Sequence, residues 1–468
     1  MSDTSSSKKT PDQAKNDAVP DAAAAPKKRR RWPLITLAVV GVVALLAVGG
    51  WAAWKGISTQ AQTDKVAAFQ KSLAEFYATP DAPAEPGELI RIEEITNLTV
   101  PGGTAYRMMY GTQAPDGSAT VSSGMLIVPT GDAPAEGRPV LAWAHGTLGF
   151  GDNCTPSRTF EPTLNGLDFG TWITAAMQRG WVVAATDYAG VGTEGDPYYL
   201  IAQSEAQDVI NSVRAAGNFA DAHAGTTYAT FGHSQGGHAS LSVAMFEDYA
   251  PELELVAVSA AAPAAELGAL FAQQYTKPVA WGDGPSVAVS WPLVHPELKL
   301  EGVLSKGALK DYSELAHGCL LQEIGQLLVK KTFDVQFFDT NPLKEPAWAA
   351  AIQTEQIDAS RVEVPVFIVQ SLSDNVVLPN TTALLSQESC AAGSPTLAVS
   401  WLDMVTHEDT AVMGGNLAID WLQDRFPDAA LRDVEGLVKR VSRADIATHD
   451  HSLTPGRYVG VAPEEVDE

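Results

Sequence analysis

Gly232-His233-Ser234-Gln235-Gly236 places a serine two residues from a glycine on either side, the G-x-S-x-G spacing of a nucleophile elbow. The apolar run Tyr228 to Gly232 precedes it and reads as a strand, and a helical pattern begins at Gly237. Where a strand turns that sharply into a helix, a Cβ at Gly232 or Gly236 would meet neighbouring backbone, so both positions need glycine. The turn lifts the Ser234 hydroxyl clear of the sheet, and the helix N-terminus behind it favours developing negative charge. The chemistry such a serine can do is covalent attack on an acyl carbonyl.

A serine hydroxyl is a weak nucleophile and needs a base. On such an elbow the acid and then the histidine follow the serine in the chain. His407, His449 and His451 lie late enough. His407 follows the apolar run Thr396 to Leu402 and is the expected base, whereas His449 and His451 belong to a C-terminal tail. The expected acid is Asp374, directly after the run Val366 to Gln370, with Val376, Val377 and Pro379 placed to pack around it. Asp403, on the same strand end as His407, is the rival and is worse placed to reach across.

A tetrahedral intermediate needs N–H donors for its oxyanion. The backbone N–H of Gln235 is one candidate. The strand-to-turn run Leu141 to Thr147 offers the other, with Thr147 preferred, its hydroxyl a further donor, and Gly146 the near alternative. His145 precedes the serine and is expected to position this loop. The three cysteines, Cys154, Cys319 and Cys390, form no C-x-x-C or Cys/His cluster, so no metal is expected, and the constellation implies no organic cofactor.

These residues need a scaffold. Val140 to Ala144, Trp181 to Thr186, Tyr228 to Gly232, Leu255 to Ala260 and Val366 to Gln370 read as buried strands, alternating with amphipathic stretches such as Ser204 to Ala216 and Gly237 to Tyr249. That order predicts an α/β fold with a mostly parallel sheet and helices on both faces. Residues 265–357 break the rhythm with several helical segments, and are expected to form a cap inserted into a core made of 89–264 and 358–427.

Of the 468 residues, 56 are acidic and 31 basic, a formal net charge of -25, which disfavours nucleic acid as a partner. Basic residues cluster in Lys27 to Arg31, and Leu34 to Trp54 follows without a charge. That run matches the ~20 residues a helix needs to span a bilayer. Trp32, Trp51 and Trp54 flank it, so 32–54 is expected to anchor the chain with 1–31 as a disordered cytoplasmic tail and the bulk outside. Cleavage of a signal peptide at Ala47-Val48-Gly49 is the alternative. Residues 55–88 read as a stalk ending in a Pro-rich linker.

The motifs together resemble the secretory lipase family typified by Candida antarctica lipase A and its actinobacterial relatives. The resemblance is carried by Ala144-His145-Gly146-Thr147, Asn153-Cys154-Thr155-Pro156-Ser157, the run Ala185 to Gly192, the run Gly232 to Gly237, and Asp374 with His407. It covers about residues 88–427. It implies an α/β-hydrolase fold, a lipase or esterase acting on apolar esters, and a helical cap that forms the acyl pocket and a lid. It also implies a disulfide between Cys154 and Cys319, leaving Cys390 free. Asp196 stands where relatives often show histidine, a departure that touches local loop contacts. Within the 428–468 tail, Asp433 to Arg440 and Ser452 to Gly460 resemble the last residues of type I restriction-modification methyltransferase subunits. No N-P-P-aromatic motif accompanies them, so no methylation is expected. The expected reaction is ester hydrolysis through an acyl-enzyme, by a monomer. Acyl transfer or peptide cleavage by the same residues, and a non-catalytic surface receptor on the same scaffold, are the alternatives.

Overall fold

Alternate residues of the central strands bury themselves on opposite sides of one sheet. Val140, Ala142, Ala144, Val182 and Ala184 join one apolar cluster, while Leu141, Trp143, Val183 and Ala185 join another. A sheet covered on both faces needs apolar residues at every position, which is why these strands read as unbroken apolar runs. The computed structural model describes residues 68–158, 172–319, 336–393 and 397–426. In it the sheet has nine strands: β1 (Leu89–Glu94), β2 (Gly103–Gln113), β3 (Ala119–Pro129), β4 (Arg138–Ala144), β5 (Val182–Thr186), β6 (Ala224–His233), β7 (Glu254–Ala261), β8 (Val366–Ser371) and β9 (Leu397–Leu402). Their spatial order is β1-β2-β3-β5-β4-β6-β7-β8-β9. The pairs from β5 to β9 are parallel, as expected, and β1, β2 and β3 add an antiparallel edge.

Helices α1 (Trp172–Gln178) and α9 (His407–Gln423) cover one face, through Trp172, Ile173, Ala418, Ile419 and Leu422. Helices α2 (Ala202–Asn218) and α3 (Gln235–Met245) cover the other, through Val209, Ile210, Val213, Leu241 and Val243. Between β7 and β8 the described residues form α4 (Leu267–Gln274), α5 (Ala280–Val294), α6 (Lys306–Ala316) and α7 (Pro346–Glu355). Their side chains Trp281, Trp291 and Trp348 extend the cluster of the α2 and α3 face. Helix α8 (Pro379–Ala392) links β8 to β9.

The described part of the expected stalk packs on this body. Leu73, Phe76 and Tyr77 are buried against Met109 of β2, and Arg91 of β1 donates to the carbonyls of Phe76 and Ala78 at 3.0 and 2.6 Å. The expected anchor, the cytoplasmic tail and the C-terminal tail lie outside the described residues. No helix among the described residues is long and apolar enough to cross a membrane.

Candidate active site

At β4 the course of the sheet reverses: β5 lies on one side of it and β6 on the other. A crevice forms outside the carboxyl ends of strands at such a reversal, and ligands of open α/β sheets bind there. The β4 loop carries His145 to Thr147, and Ser234 follows β6 directly. Asp374 follows β8, and His407 follows β9 at the first position of α9.

Ser234 has φ 55° and ψ -115°, backbone space that a residue with a side chain rarely enters. Its N–H donates to Ala261 O at 3.0 Å, and its carbonyl accepts from Ala264 N–H and His238 N–H, each at 3.1 Å. Around this bend the backbone closes so tightly that a Cβ on Gly236 would run into Ala144 O and one on Gly232 into Gly236 O. The elbow therefore has glycine where the steric argument requires it. Gln235 begins α3, so its N–H has no partner within the helix and is presented outward with the helix N-terminus.

His407 Nδ1 donates to Asp374 Oδ2 at 2.7 Å. The other carboxylate oxygen accepts from the N–H groups of Val376 and Val377 at 2.8 and 3.0 Å, and Gln370 Nε2 donates to Oδ2 at 3.3 Å. Asp374 is thereby held buried and acceptor-only, which fixes the imidazole with its proton on Nδ1 and leaves Nε2 as the basic nitrogen. The rival Asp403 makes no hydrogen bond to His407. Two ties join the β8 and β9 loops: Ser371 Oγ donates to Val405 O at 2.6 Å and Leu372 N–H to Leu402 O at 2.8 Å. Burial, and next the neighbouring His233, lower the pKa of His407 against the opposing pull of Asp374.

Among the described residues no hydrogen bond joins His407 Nε2 to the Ser234 hydroxyl. The residue before the serine is the one that touches His407. The His233 ring lies 4.5 Å from the His407 ring, and its Nε2 is 3.0 Å from His407 O. In free enzymes this proton-transfer contact is often loose and tightens with substrate.

Thr147 Oγ1 is 2.7 Å from Tyr199 Oη. His145 holds the loop, as expected of it: Nδ1 contacts Gly146 O at 2.7 Å, and Tyr188 Oη donates to its carbonyl at 2.9 Å. A disulfide joins Cys154, beyond this loop, to Cys319, beyond α6, and the exposed Cys390 is free. An apolar cavity opens at Ser234, with an empty volume of about 620 Å³ counting its mouth, walled by Leu267, Leu270, Phe271, Val287 and Phe338. No cluster of potential metal ligands occurs among the described residues.

Sequence reasoning missed a buried polar chain behind the elbow. Gln235 Nε2 donates to Glu205 Oε1 at 2.8 Å, and His238 Nδ1 meets Glu205 Oε2 at 2.7 Å. His238 Nε2 contacts Glu355 O at 2.7 Å, and Glu355 Oε1 pairs with His295 Nε2 at 2.7 Å. The available signal was His238, a polar residue one turn after Ser234 on a helix otherwise made of small and apolar residues.

The fold matches solved α/β-hydrolases. A rice cell wall degrading esterase from Xanthomonas oryzae superposes with a TM-score of 0.59 at 16% identity, covering 73% of this chain and 98% of that one. Candida antarctica lipase A in its closed state gives 0.56 at 19% identity, covering 71% and 80%. The family model of the secretory lipases matches residues 162–433, more than half of the chain, and the chain belongs to that family. Over 370 residues it is 25% identical to the probable inactive lipase of Mycobacterium tuberculosis strain CDC 1551, covering 75% of this chain and 80% of that protein. It is 23% identical over 348 residues to lipase A of Moesziomyces aphidis, covering 68% and 72%.

Proposed function

We propose that this protein hydrolyses carboxylic esters of apolar, lipid-like acyl groups, triacylglycerols among them, through a covalent acyl-enzyme on Ser234. The observations that support this are the hydrogen-bonded His407–Asp374 pair, the contact of His407 with His233 next to the serine, and a strained Ser234 that lines an apolar cavity. His407 Nε2 takes the serine proton as Oγ attacks the acyl carbonyl. Asp374 stabilises the imidazolium through Nδ1. The N–H of Gln235 and the Thr147 side of the β4 loop stabilise the oxyanion, and the same imidazolium then protonates the departing alcohol. Water, activated by His407, releases the acid.

The helices between β7 and β8 serve as the cap, with α4 and α5 supplying the acyl pocket. The enzyme works as a monomer at the outer face of a membrane, held by the run Leu34 to Trp54 behind its block of basic residues. A related mycobacterial protein is named inactive; this chain carries Ser234, His407 and Asp374, and the last two are hydrogen-bonded.

Labelling with a fluorophosphonate probe, together with hydrolysis of p-nitrophenyl esters of increasing acyl length, tests the reading. Wild type is expected to label and turn over, while Ser234→Ala does neither, its kcat falling by about 10⁴-fold or more. Equal labelling of the two proteins would remove Ser234 from the mechanism.

A further inference from the structure

The cavity at Ser234 is walled mainly by hydrocarbon, with the neutral polar groups of Tyr199, Gln274 and Tyr275 among its lining. Among the described residues that line it, Asp283, in the first turn of α5, is the sole charged side chain. Among the described residues no cation pairs with it, and its one hydrogen bond there comes from Tyr199 Oη, at a long 3.5 Å. A carboxylate offers about four acceptor sites, so most of its capacity is unused and faces a space where an acyl chain would lie. Burial raises its pKa to about 6 against the lowering contact with Tyr199, although the residue keeps partial exposure. A leucine would line a purely hydrocarbon slot at less cost.

Its position is specific. Tyr199 Oη stands between Asp283 Oδ1, at 3.5 Å, and Thr147 Oγ1, at 2.7 Å, and Thr147 belongs to the loop beside the serine. A ligand atom in contact with Asp283 therefore lies in the same cavity as the carbonyl that Ser234 attacks. We propose that Asp283 makes this cavity selective for acyl chains bearing a hydroxyl group a few carbons from the ester, whose O–H donates to the Asp283 carboxylate. An ammonium would match the charge but would lose its hydration among Leu267, Phe271 and Val287, whereas a hydroxyl costs far less to bury. An acyl chain ending in a carboxylate would be repelled.

This inference rests on the assignment of the cavity as the acyl pocket of an ester hydrolase, and its test separates the two. Full-length protein is assayed with p-nitrophenyl octanoate and with the octanoates hydroxylated at each carbon from C3 to C7. In wild type, one hydroxyl position is expected to raise kcat/KM about tenfold over the plain ester. In Asp283→Leu that ratio falls to about one. Asp283→Asn, of the same shape, keeps part of the preference and reports that the fold survives. A wild type with no favoured position, or a preference that persists in Asp283→Leu, overturns the inference while plain-ester hydrolysis leaves the ester-hydrolase assignment standing. Absence of plain-ester hydrolysis by wild type removes both.

Discussion

Ser234 sits at φ 55°, a conformation costing on the order of 1–3 kcal/mol for a residue with a side chain. The surrounding contacts impose it: three backbone hydrogen bonds hold the bend, and Gly232 and Gly236 let β4 and α3 close around it. This much is readable from five letters, because steric exclusion leaves so few residue types at the flanking positions. The acid and base were legible for a similar reason, each being the first titratable group of its kind after an apolar run. The setting of His407 has a measurable consequence. A general base must be neutral, and burial together with His233 moves its pKa below the ordinary histidine value of about 6.5. The acid limb of kcat/KM against pH is therefore expected below 6.5, so that much of the activity persists in mildly acidic buffer. A limb above pH 7 would contradict that environment.

Helices α2, α3 and α7 meet around charges that no periodicity announces. Glu205 lies in the first turn of α2, where an acidic residue reads as solvent-facing, yet it is buried beneath the elbow helix. Both ring nitrogens of His238 face acceptors, Glu205 Oε2 and Glu355 O, an arrangement that favours the imidazolium. Burial lowers its pKa, but Glu205 and then Glu355 outweigh that and raise it overall. Glu205→Leu would leave this cation unpaired in the interior and is expected to cost about 3–5 kcal/mol in chemical denaturation. The pH sense is fixed by the raised value. The pair's contribution is complete below about pH 6.5, the unfolded histidine value, and fades as pH climbs through the folded one. His295, raised by Glu355, contributes with the same sign. Unchanged stability in Glu205→Leu would mean that the chain is idle. The β2–β3 hairpin was also left unread, although Pro115-Asp116-Gly117 marks its turn and Asp116 Oδ1 accepts from Ser118 N–H at 2.9 Å. Its strands carry Ser122, Ser123 and Gly124 in the buried stretch, which breaks the apolar run by which the other strands announce themselves.

The strands of the molecule are laid down out of spatial order. β4 is central, β5 is added on one side, and β6, β7, β8 and β9 are added in turn on the other. The interruption between β7 and β8 was legible because a stretch as long as 265–357 exceeds an ordinary connection; which side chains turn into the cavity was not, since that depends on how α4 and α5 settle on the sheet. The Cys154–Cys319 disulfide spans 165 residues and ties the β4 loop to the end of α6. Such a bridge persists in an oxidising compartment, which agrees with a body exported behind the basic block of residues 27–31. Fractionation of the producing cells checks the anchor. Full-length protein is expected in the membrane pellet, resistant to high salt and released by detergent, and deletion of residues 32–54 moves it from that fraction. Wild type recovered only in the medium would favour cleavage after the apolar run.

The succession of strands also sets when the protein becomes dangerous to its maker. The nucleophile is complete once residue 234 has been synthesised, but the imidazole it depends on arrives 173 positions later, on the far margin of the sheet. A nascent chain, or one cut short by a stalled ribosome, carries a serine with nothing to deprotonate it. On the proposed mechanism, competence to cleave an ester thus waits until residue 407 has been delivered.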